Sequence, residues 1–104
     1  MSTEARIKTE ITNRAILLDT FKELNITSTQ ISDDVFAWGQ GYDRMKADLT
    51  TGELTYDSMR LEQVNILKKT YSKNLVIDSI LKKGHHVVSK NVLADGRIEI
   101  VAKF

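Results

Sequence analysis

The last third of the chain contains the pattern that most restricts the fold. Residues 85–104 read HHVVSKNVLADGRIEIVAKF, and Asp95-Gly96 is the strongest turn signal in the sequence. Both central residues of a type I′ turn have positive φ, so this dipeptide predicts a two-residue β-hairpin loop. The alternation that follows predicts a paired strand with one apolar face. That face carries Ile98, Ile100, Ala102 and Phe104, and the other carries Arg97, Glu99, Val101 and Lys103.

The start of the chain predicts a strand followed by a helix. Residues 4–11 alternate between apolar and charged side chains, as a half-buried strand does. Thr12 or Asn13 then supplies the side-chain oxygen that caps a helix. Asn25 tolerates the left-handed conformation and is the expected helix stop. The apolar stripe of this helix has helical spacing and consists of Leu17, Leu18, Phe21 and Leu24.

Residues 26–58 predict three or four short strands, and a helical pattern runs from there to Gly84. The strand segments are 26–31, the stretch from Val35, 44–49, and the residues after a Thr51-Gly52 loop. The two apolar stripes of the second helix do not share a face, so the helix either breaks or is covered on both sides. Ser and Asn compete for backbone hydrogen bonds, which favours a break at 72–74. The stripes are Leu61, Val64, Leu67, Tyr71 and Val76, Ile77, Ile80, Leu81.

The predicted order β-α-β-β-β-α-β-β indicates an α+β fold, one antiparallel sheet with the two main helices on one face. The 104 residues fit a single domain over 1–104. There is no cysteine, which excludes disulfides and thiolate metal sites. The first ten residues lack the apolar segment of a signal peptide, and no apolar run is long enough to span a membrane. The expected location is the cytoplasm, with no membrane contact.

Both ends of the chain resemble a known family. The opening IKTEITNR of residues 7–14 and the Glu23-Leu24 before the first turn carry the first half of the resemblance. Tyr71, Lys83-Gly84 and the closing DGRIEIV of residues 95–101 carry the second half. These features are similar to the hypothetical chloroplast reading frame thirty-five family, small proteins of unknown function from chloroplasts, cyanobacteria, other bacteria and phages. The resemblance implies a shared fold but no catalytic residue. The middle differs from the glycine-rich centre of that family, and Phe104 stands where its members often have tryptophan.

Three groups of residues are weighed as chemical sites and assigned structural roles. His85-His86 are adjacent on a predicted strand, so their side chains point to opposite faces and no third ligand has metal-site spacing. Gly39-Gln40-Gly41 lacks the third glycine and the helix of a nucleotide-binding fingerprint, which favours a flexible joint. The scattered carboxylates show no apolar pocket that would shift a pKa for acid–base work, so solvated turn positions are expected. No cofactor and no metal are therefore expected. The carboxylates weighed are Asp33, Asp34, Asp43, Asp48 and Asp57.

The charges are unevenly distributed along the chain. Residues 1–59 carry six basic and ten acidic residues, whereas residues 60–90 carry seven basic and two acidic ones. This excess makes nucleic acid an alternative partner, although no aromatic residues interleave with the lysines as base stacking requires. Lysines on a helix exterior more often serve solubility. The residues of this alternative site are Lys68, Lys69, Lys73, Lys82, Lys83 and Lys90.

Three of the seven aromatic residues lie within 36–42, beside glycines and acidic residues. They are either core residues on one face of a strand or a patch that binds another protein, because Trp and Tyr dominate interface hot spots. We expect a small non-enzymatic adaptor or modulator that acts through protein–protein contacts, with a nucleic-acid-binding module as the alternative. The predicted partner-binding residues are Phe36, Trp38, Tyr42, Asp33 and Asp34.

Overall fold

The computed structural model of the chain describes residues 3–103, with two compact units. We call Met1–Tyr71 the N-terminal unit and Ser72–Phe104 the C-terminal unit. The described strands are β1 (Glu4–Lys8), β2 (Ser28–Ser32), β3 (Val35–Trp38), β4 (Met45–Asp48), β5 (Glu53–Asp57), β6 (His86–Val92) and β7 (Ile98–Lys103). The helices are α1 (Arg14–Glu23) and α2 (Leu61–Lys82), and single turns of 3-10 helix occupy Gly41–Asp43 and Ser58–Arg60.

The N-terminal unit contains a five-stranded antiparallel sheet in the order β1-β5-β4-β3-β2. Strands β2 to β5 form a meander, and β1 returns to pair with β5. The two edges of the sheet are therefore β1 and β2, which are consecutive in sequence and are joined through α1. This arrangement needs a helix between them, because a hairpin loop cannot bridge two opposite edges of a sheet.

The buried face of this sheet follows from the alternation of its strands. Phe36 pairs with Ala47, which pairs with Leu54, and directly opposed side chains lie on the same face. These three side chains are at most 2% exposed. They belong to one core cluster that also includes α1 and the first turns of α2, so the predicted packing of both helices on one face holds within this unit. The cluster consists of Ile11, Ile16, Leu17, Phe21, Phe36, Trp38, Met45, Ala47, Leu49, Leu54, Tyr56, Val64, Leu67 and Tyr71.

The ends of α1 are fixed by side chains that the sequence pointed to. Asn13 Oδ1 accepts a hydrogen bond from the Ile16 N–H at 3.1 Å, which confirms Asn13 as the cap. The buried Tyr71 hydroxyl accepts the Asn13 N–H at 3.1 Å, so a residue of α2 satisfies an amide that precedes α1. At the other end Asn25 has φ of 56°, which confirms it as the left-handed stop.

Helix α2 is continuous over 22 residues, and the predicted break at 72–74 is wrong. A serine or asparagine inside a helix costs less than about 1 kcal/mol, and cooperative hydrogen bonding carries the helix past it. What changes at this point is the environment of the apolar side chains. Val64, Leu67 and Tyr71 are buried, whereas Val76 and Leu81 beyond the unit boundary are 47% and 54% exposed.

The C-terminal hairpin is confirmed, but its turn differs from the prediction. Strand β7 pairs with β6 from Ile98 to Lys103, with one register shift in β6 between Val87 and Ser89. The loop has three residues, since the Leu93 N–H donates to the Arg97 carbonyl at 2.7 Å and the Gly96 N–H donates to the Leu93 carbonyl at 2.9 Å. This is a type I turn closed by a glycine in the left-handed region, with φ of 86° at Gly96.

The predicted α+β class with antiparallel strands is confirmed. The three or four strands predicted between the helices are four, so the predicted order lacks one strand, and the predicted single sheet is wrong because β6 and β7 form a separate two-stranded sheet. Alternation in a sequence shows which face of a strand is apolar, but it does not show which strands are neighbours. Single-domain behaviour over 1–104 stays a prediction.

Candidate partner interface

Phe36 and Trp38 are core residues, so the structure contradicts their prediction as an exposed contact patch. Both lie on the covered face of β3, and they are 2% and 8% exposed. The Trp38 ring packs against Phe21 of α1, with centroids 4.8 Å apart and planes at 55°. A tilted aromatic pair of this kind belongs to the hydrophobic interior. The structure therefore shows the alternative in which both residues belong to the core on one face of a strand.

The other predicted contact residues are not brought together with Trp38. Asp33 and Asp34 form the turn that precedes β3, whereas Trp38 ends the same strand. Their backbone carbonyls accept hydrogen bonds from the Arg14 guanidinium and, at 2.7 Å, from the Leu49 N–H. These two hydrogen bonds therefore connect the β2–β3 turn to α1 and to the residue that follows β4. The side chain of Tyr42 lies outside the described part of the structure.

The Gly39-Gln40-Gly41 segment makes a tight backbone contact. Gly39 has φ of 78°, and a Cβ there would lie 2.1 Å from the Asp43 carbonyl oxygen. Only glycine permits this approach. The Arg60 Nε lies 2.5 Å from Asp43 Oδ1, which forms an ion pair that lacks hydrogen-bond geometry. The close approach of the Asp43 carbonyl explains the glycine at position 39.

Two open depressions flank Trp38 within the N-terminal unit. One, of about 390 Å³, has Trp38, Met45 and Leu67 in its wall, and the other, of about 670 Å³, runs over Ala37 and Arg44 on the uncovered side of the sheet. Neither is a closed cavity of the kind that surrounds a small ligand. Two of the five carboxylates weighed as chemical sites accept backbone N–H groups at turns, as expected of turn positions. Thus Asp48 Oδ1 accepts the Thr50 N–H at 2.9 Å, and Asp57 Oδ1 accepts the Met59 N–H at 2.9 Å.

The lysines of the alternative site are divided between the two units. Lys68 and Lys69 are exposed on α2 within the N-terminal unit. In the C-terminal unit, Lys82 Nζ lies 2.9 Å from Asp78 Oδ2, one helical turn earlier, and Lys83 and Lys90 are exposed. Lys73 is half-buried and already has an interaction partner. Lys73 and Lys82 therefore already interact with other residues of the chain, which reduces the number of lysines open to nucleic acid.

The two histidines begin the C-terminal hairpin. His85 precedes β6 and is half-buried, and its N–H donates to the Ile80 carbonyl at 3.1 Å, while His86 starts β6 and is exposed. Over residues 3–103, the described side chains include no group of three His, Cys, Asp or Glu residues that could hold a metal ion. Among the described helices, none has the length and apolar character needed to cross a membrane.

Sequence reasoning placed Val101 on the charged face of its strand but missed the other large apolar side chains that stay exposed in the C-terminal unit. No described side chain of this unit is buried, although the unit contains half a helix and a complete hairpin. A periodic pattern shows which face of a helix or strand is apolar, and it does not show whether another element covers that face. We call this set of exposed residues the C-terminal apolar surface; its members lie on more than one face, since Val92 and Val101 point to opposite sides of the β6–β7 hairpin. It consists of Leu75, Val76, Leu81, Val92 and Val101.

Comparison of the chain with protein-family models, curated proteins and solved structures gives no match. The resemblance to the hypothetical chloroplast reading frame thirty-five family stays an expectation from residues at both ends of the chain. No functional role is taken from it, and the case for a function depends on the geometry described above.

Proposed function

We propose that this protein is a small non-enzymatic adaptor or modulator that binds another protein through its C-terminal apolar surface. The observation that supports the proposal is the lack of any buried described side chain in a unit with five exposed large apolar ones. A two-stranded sheet is marginally stable alone and gains stability when another element covers its apolar face. We propose that a partner protein covers the exposed apolar side chains of this unit.

The charge of the C-terminal unit indicates the kind of protein surface that fits it. Residues 72–104 carry six basic and three acidic residues, a net charge of +3. A complementary partner has an apolar patch with an acidic rim, because charge complementarity accelerates association and selects among partners. The on-rate is then expected to fall as the salt concentration rises.

The experiment compares two substitutions on the same helix in the full-length chain. Val76 and Ile66 both lie on α2 and are 47% and 48% exposed, but only Val76 belongs to the C-terminal apolar surface. Immobilised chain is used to capture proteins from native cells, and the captured partner is then titrated against each variant. Val76→Lys is expected to weaken binding about tenfold or more, whereas Ile66→Lys leaves it unchanged. Equal losses for both variants would contradict the proposal.

Nucleic acid is the second candidate, favoured by the exposed Lys68, Lys69, Lys83 and Lys90. It is the weaker candidate because Lys82 is paired with Asp78 and because Tyr71, the aromatic residue that follows Lys68 and Lys69 on α2, is buried and not open to base stacking. The same capture experiment separates the two functions. Retention of nucleic acid that is lost at high salt, and that persists in Val76→Lys, would support nucleic-acid binding and overturn the protein-binding proposal.

A further inference from the structure

The free edge of β7 is the open position in the C-terminal sheet. Among the described strands this sheet contains only β6 and β7, so each strand has an unpaired side. The hydrogen bond from Leu93 to Arg97 sets the phase of the ladder. In an antiparallel pair, alternate residues bond to the partner strand, so Glu99 and Val101 bond toward β6. The N–H and C=O groups of Ile98, Ile100 and Ala102 therefore point to the open side.

The other edge strands carry features that discourage further pairing. Strands β2 and β6 each contain a register shift, at 30–32 and at 87–89, and such irregularities bend an edge away from new partners. Strand β1 has charged residues at three of its five positions. Strand β7 is less protected, since its register along β6 shows no extra residue of its own and only two of its six positions, in IEIVAK, are charged.

The sequence of β7 is complementary to itself in the antiparallel direction. If Val101 lies opposite Val101 of a second copy, Ile100 lies opposite Ala102 and Glu99 lies opposite the lysine at position 103. The twofold axis produces each contact twice, including both pairs of opposite charges. A shift of two residues in either direction removes both charge pairs. The same self-pairing of β1 about its centre would also set Glu4 opposite Lys8 twice, but it would place Arg6 against Arg6 at the axis, where β7 has Val101, and like charges directly opposite are destabilising.

From this geometry we propose that β7 pairs with β7 of a second copy of this chain, centred on Val101. The two hairpins form one four-stranded antiparallel sheet in the order β6-β7-β7-β6. Three or more strands with an apolar face have the stability that an isolated hairpin lacks. The contact is centred on Val101, which also belongs to the C-terminal apolar surface, but it does not include Val76, so different substitutions test the two proposals.

The first test is the oligomeric state of the full-length chain. Sedimentation equilibrium over a range of concentrations is expected to show a monomer–dimer equilibrium. Val101→Lys places two like charges at the twofold axis and should raise the dimer Kd about tenfold or more. Val92→Lys is the matched control on β6, because Val92 is also exposed but lies off the β7 edge, and it should leave the Kd unchanged. A chain that stays monomeric up to about 1 mM would overturn the proposal.

A charge exchange tests the register itself. Glu99→Lys alone should weaken the dimer, and Glu99→Lys combined with Lys103→Glu should restore it, since the paired signs are again opposite. Circular dichroism of each variant verifies that the fold is intact. If neither Val101→Lys nor Glu99→Lys changes the dimer Kd, the dimer uses another surface, and that outcome also overturns the proposal. Loss of partner capture in Val76→Lys is measured separately, so failure of one proposal does not imply failure of the other.

Discussion

Trp38 packs against Phe21 with ring centroids 4.8 Å apart and only 8% of its side chain exposed. Replacing it with alanine removes this contact and leaves a cavity in the core of the N-terminal unit. Trp38→Ala is expected to lower the free energy of unfolding by about 3–5 kcal/mol, measured by urea denaturation. Met59→Ala serves as the control, because Met59 is 75% exposed and should change stability by less than about 0.5 kcal/mol. A loss below about 1 kcal/mol for Trp38→Ala would contradict a core role.

Gly52 is held in a position that excludes any other residue. It has φ of 79°, a Cβ there would lie 2.1 Å from the Thr9 carbonyl oxygen, and its own carbonyl accepts the Thr9 hydroxyl at 2.6 Å. We expect Gly52→Ala to cost about 2 kcal/mol or more, because the backbone must move and break this connection between β1 and the β4–β5 turn. Gly41→Ala is the control, since Gly41 also has positive φ but open space around it. Similar melting temperatures for the two variants would show that the close approach does not matter.

The sequence was compatible with both a core role and an interface role for the aromatic residues at 36 and 38. Only their burial, which the sequence does not give, distinguishes the two roles. Phe36 and Trp38 alternate along β3, which already places them on one face. Nearby glycines and acids suggested an interface, but they serve the turn at Asp33 and the tight contact at Gly39. Composition near an aromatic residue does not distinguish these cases, because the deciding contact with Phe21 comes from an element 17 residues earlier in the chain.

Gly96 closes the loop of the C-terminal hairpin. It is the residue of the three-residue loop with positive φ, and Asp95 supports the turn by accepting the Arg97 N–H at 3.0 Å. Gly96→Val should destabilise the hairpin by about 1 kcal/mol or more, since a β-branched side chain is strained at positive φ. Ala94→Val is the control within the same loop, because Ala94 does not have positive φ. Hydrogen exchange of the β6 and β7 amides measures the difference, and equal protection in both variants would contradict the prediction.

Elements were predictable where their signals are local, and less so where stability is cooperative. The Asn13 cap, the Asn25 stop and the β3 strand follow from neighbouring residues, and all are found in the structure. Asp95-Gly96 identified the hairpin, but its turn type depends on which residues pair across the strands. The continuity of α2 was missed because a local preference at Ser72 and Asn74 does not outweigh hydrogen bonding along the whole helix.

On the scale of the whole molecule, buried apolar residues are concentrated in one of the two units. All fourteen members of the core cluster lie in the N-terminal unit, and the described part of the C-terminal unit contributes none. The sequence could not show this difference, since both halves have clear apolar periodicity. Periodicity records how a segment could pack, whereas burial depends on the presence of a second surface.

This distribution leads to a prediction about local stability that also tests single-domain behaviour. In dilute solution, where the chain is monomeric, the β3, β4 and β5 amides should exchange with solvent only through global unfolding. The β6 and β7 amides should exchange through a separate opening that costs at least about 2 kcal/mol less, because few apolar contacts hold the hairpin. Native-state hydrogen exchange followed by NMR at increasing urea concentration measures both energies. If both sets of amides showed the same free energy and the same urea dependence, the units would unfold together as one cooperative domain.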